Sequence, residues 1–365
     1  MSSPITVTHS TGQYQVHIRS GLLAEAPALV REVLGDRPTV AVTDAGIVSL
    51  LSSFGLGALA MSPLLVPPGE RAKTREQWAL LTDQLLERGL GRDGALIAIG
   101  GGSIGDLTGF VAATYLRGIP FVQVPTTLLA MVDAAVGGKV GVDTDRGKNL
   151  VGAFHPPVLV LADPRALTSL PERDYLGGMA EALKHGLIAD AEYFEWIVAH
   201  ATELRQRNLA TLEHLIRRSV EIKAAVVAAD ERESGRRAVL NAGHTVAHAL
   251  EQLSTYSISH GEAVALGLLA ECQMAETIGV ARSGLTASLR SALTALGLPV
   301  RAATALPLDQ VITAMRTDKK NRSGETRFAL AAELGRPHRA GEFWTTPIER
   351  KVVERGLLAI LGEKT

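Results

Sequence analysis

The chain changes its hydrophobic period once, near Pro171, and that change narrows the folds open to it. Before it, short apolar runs recur: ITVTH, YQVHIR, PTVAVT, ALIAIG, FVQVP and VLVLA. Most are continuously apolar rather than alternating, as in strands covered on both faces. Helical patterns separate several of them, for example Thr74 to Gly89 with Trp78, Leu80, Leu81, Leu85 and Leu86 on one side. Such alternation predicts a mostly parallel sheet between helical layers. From Glu172 to about Leu298 the periodicity is almost wholly helical, and a brief strand signal returns only in TRFALAA, 326–332. The expected fold is an α/β nucleotide-binding domain over 1–171, a Rossmann-like variant, followed by an all-α domain over 172–365. A cleft between two such domains is the default place for a ligand.

The 365 residues suffice for two cores, and 46% hydrophobic with 21% charged residues is a globular composition. A formal net charge of −1 gives no basic field for nucleic acid or an anionic membrane, so neither partner is expected. Any anion must be held by a local cluster. No apolar run reaches the length of a membrane span; Ile119 to Val136 is broken by Pro120, Gln123, Pro125 and Asp133. The opening MSSPITVTHS lacks the basic and apolar regions of a signal peptide. The single cysteine, Cys272, fits a reducing compartment, so a cytoplasmic location is expected.

Residues 96–106 read LIAIGGGSIGD, an apolar strand, three glycines and a helix start. Glycines permit a tight turn and close approach, and the new helix offers free N–H groups to a phosphate. Gly100, Gly102 and Gly105 satisfy GxGxxG, although no acidic residue closes a second strand at the usual interval. The motif therefore reads as a variant dinucleotide site, or as a plain turn with Ser103 as helix cap. Downstream, Arg117, Thr126, Thr127, Asp133, Lys139, Lys148 and Asn149 punctuate otherwise apolar sequence. Gly-Gly-Lys at 137–139 and Gly-Lys-Asn at 147–149 place ammonium groups beside close-approach backbone, which suits phosphate or carboxylate.

In the helical half, EALKHG sets Glu181, Lys184 and His185 within two turns. NAGHTVAHALE sets His244 and His248 four residues apart on one helix face, and His260 begins another helix in HGEAVALG. Imidazoles with a carboxylate suit zinc. Spacing alone leaves open which histidines are ligands and which are hydrogen-bonded core residues.

Taken together, GGGSIGD, RGIPFVQVPTTLLAMVDAAVGGK, GKNLVGAFHPP, MAEALKHG, LNAGHTVAHALE, HGEAVA and DKKN resemble the 3-dehydroquinate synthase family across nearly the whole chain. The resemblance implies an NAD-dependent, zinc-containing homodimer, with cobalt as the alternative ion. Its reaction would turn the sugar-acid phosphate 3-deoxy-D-arabino-heptulosonate 7-phosphate into 3-dehydroquinate and phosphate. The metal ligands implied by motif position are Glu181, His244 and His260. Around the substrate the resemblance implies Arg117, Asp133, Lys139, Asn149, Lys184, Lys223, Arg237, Asn241 and His248, with a lysine from Lys319 and Lys320. For NAD it implies Asp44, Gly69, Glu70, Lys73, Gly101, Gly102, Ser103, Ile104, Gly105, Asp106, Thr126, Thr127, Lys139, Lys148, Thr168 and Ser169. The chain departs from the common family pattern at Ser103, Asp143, Ala242 and Ala247, none of them a proposed ion ligand. Rival readings are a cyclase for another sugar phosphate, a polyol dehydrogenase that releases NADH, and a catalytically dead homologue.

Overall fold

The computed structural model describes residues 3–316 and 325–361. Lys319 and Lys320 lie outside the described residues. Contacts divide the chain into two compact units, residues 1–170 with 212–228, and residues 171–211 with 229–365.

In the first unit the apolar runs form strands. These are β1 (Ile5–His9), β2 (Gly12–Ile18), β3 (Thr39–Asp44), β4 (Leu64–Val66), β5 (Ala95–Gly100), β6 (Phe121–Pro125) and β9 (Leu159–Ala162). They make one sheet in the order β1-β2-β9-β6-β5-β3-β4, parallel throughout except for the β1–β2 hairpin. Strands β5, β6 and β9 are buried on both faces, whereas β1, β2 and β4 each leave residues exposed. Side chains alternate between two cores. Val40, Val42 and Leu96 face α2 (Arg75–Glu87) and α3 (Gly102–Thr114), while Ala41, Ile97 and Ile99 face α1 (Ala26–Leu34). On α2 the helical period turns Leu81 and Leu85 inward, whereas Leu80 and Leu86 are 46% and 56% exposed. The one-sided face expected for all five apolar residues of α2 is thus narrower than the composition suggests.

β7 (Lys139–Thr144) and β8 (Gly147–Phe154) form a separate antiparallel hairpin. Its glycines and exposed positions conceal it from pattern reading. Residues 212–228, most of α7 (Leu209–Ala229), count with this first unit although they lie within 172–365. Their polar side chains bond there: Lys223 to Asp133, and Glu213 to the Ser20 N–H at 3.1 Å.

The second unit is built from α4 (Glu172–Ala189), α5 (Ala191–Ala199), α6 (Ala201–Arg205), α8 (His244–Leu253), α9 (His260–Thr277), α10 (Leu285–Leu296), α11 (Leu308–Arg316) and α12 (Arg350–Leu361). Short strands β10 (Arg327–Phe328), β11 (Ala331–Glu333), β12 (Arg336–Pro337) and β13 (Thr346–Pro347) add two small antiparallel pairs. The central helix, α9, carries the buried Cys272 three turns after His260. No helix among the described residues is long and apolar enough to cross a membrane.

Two glycine contacts bring the helices of this unit closer than side chains would allow. A Cβ on Gly261 would lie 2.1 Å from Gly177 Cα, so α9 and α4 touch through bare backbone. A Cβ on Gly267 would lie 2.0 Å from the Gly243 carbonyl oxygen, which seats α9 against the start of α8. Gly261 follows His260, Gly243 precedes His244, and Gly177 is one turn before Glu181. These contacts therefore fix the starting points of all three expected ligand side chains.

Candidate active site

In the first unit, the strand order reverses its direction of growth between β3 and β5. The chain leaves β3 for β4 on one side and returns to β5 on the other. Open parallel sheets bind ligands outside the carboxyl ends of strands at such a switch point. Asp44 ends β3 there, and its Oδ1 accepts from the N–H groups of Gly46 (2.8 Å) and Ile47 (3.2 Å). Gly69 to Lys73 follows β4, Gly101 begins the turn into α3 after β5, and Thr126 and Thr127 follow β6. Gly105 lets α3 lie on β6, since a Cβ would stand 2.6 Å from Gln123 Oε1. Ile104 is buried and anchors the turn. Thr168 and Ser169 lie in a helical turn after β9, their hydroxyls donating to the Arg165 and Ala166 carbonyls.

A charged network ties this edge together. Lys73, 4% exposed, donates to Asp106 Oδ2 at 2.8 Å and to Asn149 Oδ1 at 2.5 Å. Burial opposes its charge, but Asp106, Glu70 and Asp143 outweigh it and hold the ammonium above the usual lysine range. Glu70 accepts from Ser103 Oγ at 2.7 Å and pairs with Lys148 at 3.3 Å. Burial works against its ionisation, yet Lys73 and Lys148 pull its pKa down to about 2. Asp143 Oδ1 accepts the Asn149 N–H at 2.8 Å, holding Asn149 at a φ of 56°. Asn149, expected beside the substrate, is therefore bonded to a lysine expected beside NAD.

Arg117 and Lys139 are placed apart from this network. Arg117 is exposed at a φ of 70°, at the opposite end of α3 from Gly102. Lys139 pairs with Phe154 at the other end of the hairpin from Lys148. Asp133 sits in a turn of π-helix, where its carbonyl and Oδ1 both accept from Lys223 Nζ at 2.6 Å.

In the second unit Glu181, fully buried on α4, has its Oε1 3.5 Å from His244 Nε2 and 3.4 Å from His260 Nε2. One donor atom from each of the three residues lies within 4.8 Å of the others. Ligands about 2.1 Å from a tetrahedral ion stand roughly 3.4 Å apart, so these side chains fit a divalent cation. Lys184, 1% exposed, forms an ion pair with the other Glu181 oxygen. His248 stands edge-on to His244 with ring centroids 5.6 Å apart. Helical spacing made His244 and His248 look like a pair, but the carboxylate lies between His244 and His260. Asn241 Nδ2 donates to Glu233 Oε1 at 2.5 Å. The Arg237 guanidinium donates to the Glu231 carbonyl, and its N–H to Asp230 Oδ2 at 2.9 Å. Sequence reasoning assigned no role to Glu231, Glu233 or Asp230; only their proximity along the chain to Arg237 and Asn241 could have marked them.

Burial opposes a charged His260, but hydrogen bonds to Glu181 and Glu251 outweigh it and raise its pKa to about 9. A cation arriving at neutral pH therefore displaces a proton. Competition titrations with a chelating dye should show affinity rising about tenfold per pH unit from pH ~7 towards 9, then levelling. A flat profile would mean that no proton is displaced. In the metal-free fold the same contact is fully stabilising below the ordinary imidazole pKa and is lost as pH rises through about 9.

Comparisons with known proteins extend over both units. Residues 63–177 match the family model described as 3-dehydroquinate synthase N-terminal, and residues 178–321 match 3-dehydroquinate synthase C-terminal. The chain is 42% identical to the 3-dehydroquinate synthase of Rhodospirillum rubrum, covering 92% of this chain and 90% of that one. It is likewise 42% identical to that of Symbiobacterium thermophilum, covering 95% and 98%. Among solved structures it resembles 2-epi-5-epi-valiolone synthase from Streptomyces hygroscopicus, determined with NAD+ and Zn2+ (TM-score 0.85, 28% identity, 98% of both chains). It shares a fold with 2-deoxy-scyllo-inosose synthase complexed with carbaglucose-6-phosphate, NAD+ and Co2+ (TM-score 0.88, 23% identity, 97% and 99%).

Proposed function

The chain belongs to the 3-dehydroquinate synthase family, and we propose that it converts 3-deoxy-D-arabino-heptulosonate 7-phosphate into 3-dehydroquinate and phosphate. The observation that carries this reading is the family match over 63–321, which includes the Gly69–Lys73 and Gly101–Asp106 segments of the switch-point edge and the Glu181–His244–His260 cluster. When bound, NAD supplies an oxidant regenerated within each turnover, and zinc or cobalt supplies Lewis acidity at the alcohol being oxidised.

The residues divide the work by charge. Asp44, Gly69 to Lys73, Gly101 to Asp106, Thr126, Thr127, Lys148, Thr168 and Ser169 hold the dinucleotide, with the start of α3 facing its pyrophosphate. Glu181, His244 and His260 hold the divalent ion. Lys139, Lys184, Lys223, Arg237, Asn149, Asn241 and His248 take the phosphate and carboxylate of the substrate. Cations fixed in advance stabilise the charge that grows on the departing phosphate. Asp133 and Glu181 are engaged by lysines. The phosphate oxygen therefore serves as the base for the neighbouring C–H. A homodimer and a cytoplasmic location complete the proposal, supported by the family resemblance and by the lone buried cysteine.

Incubating the protein with the heptulosonate phosphate and a trace of NAD should release many phosphates per NAD, with no net NADH. A chelator should abolish release, and sedoheptulose 7-phosphate should be turned over far more slowly. Stoichiometric NADH accumulation would overturn the synthase reading in favour of a dehydrogenase.

A further inference from the structure

The two imidazoles of the cluster are held in different ways. His244 Nδ1 meets the neutral Ala242 carbonyl at 3.1 Å, whereas His260 Nδ1 faces Glu251 Oε2 at 3.3 Å. Glu251 belongs to α8, the helix that His244 opens, so α8 provides one ligand and also the carboxylate facing the ligand of α9. The reverse contact exists as well. Glu271 of α9 accepts the Gly243 N–H at 2.7 Å, and Gly243, at a φ of 80°, is the residue from which His244 starts α8. Glu251 and Glu271 are each 3% exposed. Carboxylates so deeply buried are costly unless a partner requires them.

We propose that Glu251 and Glu271 are positioning residues for the divalent ion, each fixing the histidine carried by the opposite helix. A carboxylate can only accept a hydrogen bond, so Glu251 keeps the proton on His260 Nδ1 and leaves the Nε2 lone pair towards Glu181 and the ion. Its charge also makes that imidazole a stronger donor than His244, whose partner is neutral. Glu271 acts on placement: by fixing Gly243 it sets the direction from which the His244 ring enters the cluster. Neither residue supplies a donor atom to the ion itself.

The proposal rests on Glu181, His244 and His260 being the ligands, and the test separates the two ideas. The full-length protein is stripped with a chelator and titrated with Co2+, following affinity and the d–d absorption of the bound ion. Glu251→Gln keeps the shape and removes the charge. It should weaken Co2+ binding about 10- to 100-fold and shift the d–d bands, while the stripped protein, compared above pH about 9 where the charged His260 contact no longer contributes, unfolds no earlier than the parent. Glu271→Gln, whose amide oxygen still accepts from Gly243, should bind nearly as the parent does, and Glu271→Leu should bind about tenfold more weakly. Parental affinity and spectrum in Glu251→Gln would overturn the role of Glu251, as would a loss matched by an equal fall in stability of the stripped protein. Parental affinity in Glu271→Leu would remove Glu271. If His260→Ala still binds Co2+ as the parent does, the ligand assignment fails instead.

Discussion

Replacing His260 with Ala should leave a folded protein that retains almost no bound metal and loses at least about 10³-fold in kcat/KM. The magnitude follows from Lewis-acid stabilisation worth several kcal/mol, with each 1.36 kcal/mol amounting to about tenfold in rate. His260 is 31% exposed and stands at the first residue of α9, so its truncation opens no sealed cavity. The change should therefore act on the ion and not on the fold. Metal content by elemental analysis, thermal unfolding and phosphate release on one preparation would check this. Stoichiometric metal in the variant would refute the assignment of His260.

A comparable loss should come from a residue with no chemistry at all. Gly261→Ala puts a methyl group where the Gly177 Cα already stands, 2.1 Å away. Neither partner is a flexible side chain, so α4 and α9 must separate. Overpacking of this kind costs about 3 kcal/mol, and more where backbone meets backbone. A fall in Tm of roughly 6–12 °C follows for a unit of this size. Because α4 carries Glu181 and α9 carries His260, the same separation pulls the ligand atoms apart and metal content should fall with Tm. An unchanged Tm together with full metal content would show that the crossing tolerates a side chain.

Much of this was legible in the sequence where burial is uniform. The runs ALIAIG and FVQVP announce strands because both faces of β5 and β6 are covered. β4 has three residues, β7 carries charged or polar residues at both ends, and β8 is largely exposed, so neither length nor hydrophobicity betrays them. From spacing the ligand histidines were visible as residues but not as a set, which only the family resemblance implied. Helical spacing favours His244 with His248, whereas the approach of His260 depends on how α8 and α9 pack. Glu251 and Glu271 were less visible still. Each acts across a helix pair on a residue of the other helix, and no spacing along one helix encodes that. Glu251 closes the motif LNAGHTVAHALE, seven residues after His244, which is the one local cue it offered.

The sulfur of Cys272 sits at 2% exposure in the middle of α9. Burial first, then the carboxylates of Glu271 and Glu276, push its thiol well above the ordinary range, so little reactive thiolate exists in the closed state. A thiol reagent can then label this protein only through excursions that open the helix carrying His260. The sole sulfhydryl is in effect a clock for those excursions, native to the chain and one helix away from nothing it needs to report. Labelling rates with and without added ion would read directly how far cofactor loading restrains the breathing of the helical unit.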